Sequence, residues 1–120
     1  MKLEEEVKKF MQDKNKIWIT ANQYQIEAKK TAIFPANKAL EYLSLGLVGE
    51  AGEVANKVKK IIRDKKIDVD IGGEIGDVLW YCAMLADYLD VDLGTIMENN
   101  INKLQSRKSR GVLGGSGDKR

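Results

Sequence analysis

Proline occurs once in this chain, at Pro35, so nothing downstream breaks a helical hydrogen-bond ladder by lacking an N–H. In that uninterrupted span apolar residues recur at three- and four-residue intervals, the period of an α-helix buried on one face. Leu40, Leu43, Leu47, Ala51, Val54, Val58, Ile61 and Ile62 form such a stripe over residues 38–63. A second helix, over 71–89, carries Ile75, Val78, Tyr81, Cys82, Leu85, Tyr88 and Leu89, and its opposite side is apolar too, with Leu79, Trp80, Ala83 and Met84. A helix apolar all round is normally buried all round. In a chain of 120 residues that predicts a partner subunit over the second face. Strand-like alternation is confined to the short "KIDVDI" at 66–71. The expected fold class is therefore all-α, a bundle of four to five helices that oligomerises.

The remaining elements follow from local signals. Leu3, Val7, Phe10 and Met11 predict a short amphipathic helix over 3–13. Thr20 followed by Gln23 has the form of a capping box and starts a helix that runs to about Thr31. "FPANKA" ends it, and Asn37 is placed to cap the next. Asp68 or Asp70 is placed to cap the 71–89 helix, and Asp92 a last helix over 93–107. The chain divides into an extension over 1–18, a helical domain over 19–110 and a glycine-rich tail over 111–120.

Apolar residues make up 43% and charged residues 32%, too hydrophobic a mixture for a disordered chain. Twenty basic against eighteen acidic residues leave a net charge of +2, which predicts no nucleic-acid partner, although basic clusters lie at Lys57–Lys66 and Lys103–Arg110. A single cysteine, Cys82, cannot form an internal disulfide. The start, "MKLEEEVKKFMQDK", has no apolar block of a secretory leader. No apolar run approaches the ~18 residues of a membrane span. The expected setting is the cytoplasm, with no membrane partner.

Two short patterns carry the chemistry. Glu50 and Glu53 lie three apart in "GEAGEVANKVKK", and Glu74 and Asp77 repeat the spacing in "GEIGDVLWY". Residues three apart on a helix are surface neighbours. Solvated charge explains most such glutamates, and Glu53 with Lys57 has the spacing of an ordinary i,i+4 pair. Glu74 fits that explanation poorly, because it falls on the apolar stripe, where an uncompensated carboxylate costs several kcal/mol. If the two stripes face each other, up to four carboxylates converge and repel. A divalent cation resolves the conflict, and Mg²⁺ prefers hard oxygen ligands while keeping sites for water and phosphate. With no histidine in the chain, a ferritin-like di-iron site is disfavoured. Gly46, Gly49 and Gly52 form a bare ridge beside the glutamates, which suits close approach of a helix or a ligand.

Glu50-Ala-Gly-Glu53, a spacer, then Glu74-Ile-Gly-Asp77 resembles the signature of the MazG-like all-α nucleoside triphosphate pyrophosphohydrolases, ExxE followed by ExxD. The flanking words "LGLVGEAGEVANKVKK" and "EIGDVLWYCAMLA" are similar as well, and the similarity runs from about Gln23 to the C-terminus. The resemblance implies a MazG-like helical bundle acting as a homodimer or homotetramer. It implies metal ligation by Glu50, Glu53, Glu74 and Asp77, with Mg²⁺ as cofactor and Mn²⁺ as a substitute. The implied reaction cleaves a ribo- or deoxyribonucleoside triphosphate between the α and β phosphates, in nucleotide-pool house-cleaning. Glu53 is the implied residue for orienting or deprotonating the attacking water. Gly49 stands where some relatives carry a further glutamate, which bears on the number of metal ions. Asn100, Lys103 and Arg107 match the family's Asn-x-x-Lys-x-x-x-Arg pattern, with phosphate contact as the role of the basic pair; Lys57 and Lys60 are further substrate candidates.

The tail "RGVLGGSGDKR" resembles the end of one MazG-like subgroup. Its backbone N–H groups suit phosphate binding, while a frayed terminus is the commoner fate of such a composition. Trp18, Tyr24, Trp80 and Tyr81 are the aromatic residues available to stack on a base. Two rivals stand beside this reading: the related phosphoribosyl-ATP pyrophosphohydrolase, and a non-catalytic helical oligomer that binds a nucleotide or a protein.

Overall fold

The computed structural model describes residues 2–12 and 19–120. Five α-helices and no strand are present among the described residues: α1 (Leu3–Met11), α2 (Ala21–Lys29), α3 (Ala39–Asp64), α4 (Ile71–Tyr88) and α5 (Leu93–Ser109), with a 3₁₀ turn at Ala36–Lys38 before α3. None of these helices is long and apolar enough to cross a membrane. "KIDVDI" is not a strand; most of it forms the link between α3 and α4. That link carries Asp68, which lies beside the site described below.

Helix starts follow the sequence unevenly. At α2 the capping box is complete: the Gln23 N–H donates to Thr20 Oγ1 at 3.1 Å, and the Thr20 N–H donates to Gln23 Oε1 at 2.9 Å. Asp70 and Asp92 occupy the N-cap positions of α4 and α5, but neither side chain makes a capping bond. Asn37 lies inside the 3₁₀ turn, and Lys38 takes the N-cap position of α3. Past Asp64, Lys65 turns the chain with a left-handed φ of 50°.

The α3 and α4 helices form the principal pairing. Lys57 meets Glu74, Glu50 lies with Asp77 and Gly46 abuts Tyr81. Partners descend along α3 as they ascend along α4, so the two helices run antiparallel, as a short connection requires. Helix α2 lies across α4, and α5 packs near the α4–α5 turn. Buried Gln25 ties that corner together: its Nε2 donates to the carbonyls of Ala83 (3.3 Å) and Val91 (3.0 Å), and its Oε1 accepts from the Leu93 N–H at 2.9 Å.

The core lies between α2, α3, α4 and the start of α5, around Ala28, Leu43, Ala83, Met84, Ala86 and Leu93. This corrects the expected orientation of α4 in part. Ala83, Ala86 and Met84 are its most buried residues. Of the main stripe Tyr81 and Leu85 pack against the core while Ile75, Tyr88 and Leu89 are exposed, and Leu79 on the other side is exposed too. With both sides apolar, hydrophobicity could not choose between them; the small Ala83 and Ala86 win because they let α2 approach closely. The α3 stripe is likewise incomplete: Leu43 is fully buried, whereas Leu40, Val58 and Ile62 are exposed. One chain exposes 9315 Å², against about 6,500 Å² for a compact monomer of this mass. Much of its apolar surface is therefore uncovered within a single chain.

Candidate metal centre

Glu74 enters the first turn of α4, Asp77 follows one turn later, and Glu50 reaches them from the middle of α3. One carboxylate oxygen from each lies within 4.8 Å of the others. The Glu74 side chain is only 16% exposed. Glu50 is half-buried, and its carboxyl is held above its ordinary pKa, first by burial and then by the charges of Asp77, Glu74 and Glu53, with a hydrogen bond to Glu74 as a further cause. Partly desolvated like charges resist ionising together. The donor set is all oxygen, with neither histidine nor cysteine in it, which suits a hard divalent cation of the Mg²⁺ kind.

Glu53 is not one of the three. It is exposed, and with Val48, Gly49, Gly52, Ala55, Asn56 and Lys59 it lines a separate groove along α3. Gly49 and Gly52 leave open space in that groove, whereas Gly46 has a packing reason, since a Cβ there would collide with the Tyr81 ring. Lys57 does not pair with Glu53. Its Nζ lies 3.0 Å from Asp68 Oδ2, 3.7 Å from Glu74 Oε1 and 3.9 Å from Asp70 Oδ2. The Asp68 hydrogen bond is the main cause that raises the Lys57 pKa and lowers that of Asp68. Lys60 is exposed and lines a third groove with Asp64, Lys66 and Asp68.

The α5 helix, which carries the other basic candidates, packs on α4 and not on α3. Nowhere does α5 come within 8 Å of α3 between Cα atoms, and Arg107 lies fourteen residues past Leu93, about 21 Å along the helix axis. Asn100 and Lys103 are exposed. Arg107 is only 5% exposed. Its Nη2 donates to the Asp118 carbonyl at 2.6 Å, and its Nε has no partner among the described residues.

Residues 111–120 are folded rather than frayed. Gly111, Gly115 and Gly117 adopt φ values of 72°, 89° and 89°, which glycine reaches without strain. They curl the tail around Arg120, whose guanidinium donates to the carbonyls of Val112, Leu113, Gly114 and Gly117. Carbonyls, not the N–H groups expected for phosphate, thus converge inside the tail.

Among the aromatic candidates, Trp80 and Tyr81 border the acidic cluster, sharing a cavity with Glu50, Asp77 and Thr31. The Tyr24 hydroxyl donates to the Gly76 carbonyl at 3.4 Å, and burial is the main cause that raises its pKa, with Asp77 next. Trp18 lies outside the described residues. Asp68 and Thr31 are the neighbours of the site that residue patterns did not reveal. The only sequence signal for Asp68 was its place before α4, and Thr31 carried none.

Carboxylates brought together across an antiparallel helical pair give the class of the protein: an all-α domain with an acidic cluster that could hold a metal ion. Residues 38–112 match the MazG nucleotide pyrophosphohydrolase domain, and the chain belongs to that family. A curated relative, the Gene 37 protein of Mycobacterium phage L5, is 54% identical over 109 residues, covering 81% of this chain and 96% of its own. No solved structure matches the chain significantly.

Proposed function

We propose that the protein is a Mg²⁺-dependent nucleoside triphosphate pyrophosphohydrolase, releasing a nucleoside monophosphate and pyrophosphate from ribo- or deoxyribonucleotides. The observation that carries this reading is the trio Glu50, Glu74 and Asp77, three carboxylates within 4.8 Å in a chain of the MazG nucleotide pyrophosphohydrolase family. When bound there, Mg²⁺ neutralises phosphate oxygens and favours attack at phosphorus. Glu50, Glu74 and Asp77 supply the oxygen ligands. Glu53, on the same helix as Glu50 but outside the trio, is free to accept a proton from an attacking water and orient it; that role suits its exposure better than ligation.

Lys57 faces carboxylates rather than open cavity. Its contacts with Asp68 and Glu74 suit orienting Glu74 before a phosphate arrives. Asn100 and Lys103 suit contact with a phosphate held by a second copy of the chain, since α5 does not approach α3 within one copy. The uncovered apolar surface supports that assembly, a homodimer or a pair of dimers. Mn²⁺, with the same taste for oxygen ligands, substitutes for Mg²⁺.

Titration calorimetry with Mg²⁺ tests the site directly. Glu74→Gln and Asp77→Asn are each expected to weaken Mg²⁺ binding by at least about tenfold and to lower turnover with it. Unchanged metal affinity and turnover in Glu74→Gln would remove the proposed centre.

A further inference from the structure

One cavity shares its wall with the acidic cluster. Thr31, Glu50, Asp77, Trp80 and Tyr81 line a space of about 330 Å³, at the lower end of the size of small-molecule sites. On α4, Asp77, Trp80 and Tyr81 are three and four residues apart, so the acidic and aromatic groups share one face. Their backbones are separated along the axis by about one turn, roughly 5 Å.

The aromatic wall is held in place from two sides. Trp80 Nε1–H donates to Thr31 Oγ1 at 2.8 Å, and the Thr31 hydroxyl donates onward to the Ala28 carbonyl at 2.7 Å. Tyr81 meets the indole edge-on, with ring centroids 5.0 Å apart at 80°, and it is seated against Gly46. The one polar atom of the indole is thus already engaged. What Trp80 offers the cavity is π surface, fixed in advance and with no free donor to read a base edge.

We propose that Trp80 is the base-side wall of this site: the nucleobase of a nucleoside triphosphate whose phosphates lie at Glu50 and Asp77 packs against the indole. The proposal rests on the nucleotide reading above and adds where the base goes and how it is recognised. Stacking is tolerant of base identity because every base has a π face. Trp80 therefore supplies affinity for the nucleoside rather than choice among bases, and it contributes nothing to binding of a bare polyphosphate.

The test compares a non-cleavable α,β-methylene ATP with inorganic triphosphate, each with Mg²⁺, by calorimetry and tryptophan fluorescence. The nucleotide analogue is expected to quench fluorescence of the wild-type protein and the inorganic triphosphate to leave it unchanged. Trp80→Phe keeps most of the nucleotide affinity and loses the quench. Trp80→Ala weakens nucleotide binding on the order of tenfold and leaves inorganic triphosphate binding as it was. Nucleotide binding without a quench in the wild type overturns the proposal, and so does an equal loss of both probes in Trp80→Ala. The wild-type fluorescence arm does not depend on either variant folding. Turnover separates the two claims. A quench with no hydrolysis of any triphosphate leaves the base wall standing and removes the pyrophosphohydrolase reading; hydrolysis without a quench removes the wall alone.

Discussion

At Glu50 one side chain couples stability to pH. Its carboxyl is held above its ordinary pKa, chiefly by burial and then by neighbouring carboxylates. The folded chain therefore binds more protons than the unfolded one just above the ordinary glutamate range, and stability falls as pH rises through that window. A thermal melting series of the metal-free protein between about pH 4 and pH 7 is expected to show this decline. Glu50→Gln flattens it, and saturating Mg²⁺ opposes it by favouring the ionised carboxylates. A decline of equal slope in Glu50→Gln would place its origin elsewhere. Gly46 makes a second case at this scale. Gly46→Ala drives a methyl into the Tyr81 ring, a clash expected to cost about 1–3 kcal/mol by urea denaturation, whereas Gly49→Ala, facing open space, is expected to be neutral or mildly stabilising.

Among the elements, the corner where α2 meets the α4–α5 turn depends on Gln25. Gln25→Ala strands the Leu93 N–H and the Val91 carbonyl, and is expected to cost about 2–4 kcal/mol by the same denaturation measurement. The helices themselves were legible in the sequence to within a residue or two because their signals are local: the apolar period, one proline, and the Thr20–Gln23 box that forms at α2. The pairing of Glu74 and Asp77 with Glu50 was legible for the same reason, since spacing on a helix fixes the face. Less local features were not. The buried side of α4 depends on what packs against it, and the sequence made both sides apolar. Lys57 turned to Asp68 rather than Glu53 because the partner comes from the connecting segment, whose path no periodicity describes. The resemblance implies a phosphate contact for Arg107; in the structure its guanidinium is buried against the tail, whose fold rests on glycine conformations and on Arg120.

For the molecule as a whole, surface is the governing quantity. At 9315 Å² exposed, well beyond the roughly 6,500 Å² of a compact chain of this mass, the protein is expected to sediment as a dimer or tetramer. Ile75 and Leu79, exposed one turn apart on α4, belong to the uncovered face. Leu79→Lys is expected to shift the protein toward monomer while circular dichroism retains its helical signal; a wild-type protein monomeric at micromolar concentration would contradict this. A pyrophosphohydrolase that takes phosphate contacts from a second copy should lose turnover together with assembly. The central claim concerns which bond breaks, and phosphorus NMR of a nucleoside triphosphate incubated with protein and Mg²⁺ reads it directly. Nucleoside monophosphate and pyrophosphate appearing together, and only with metal, are the predicted products. Nucleoside diphosphate with orthophosphate would contradict the account.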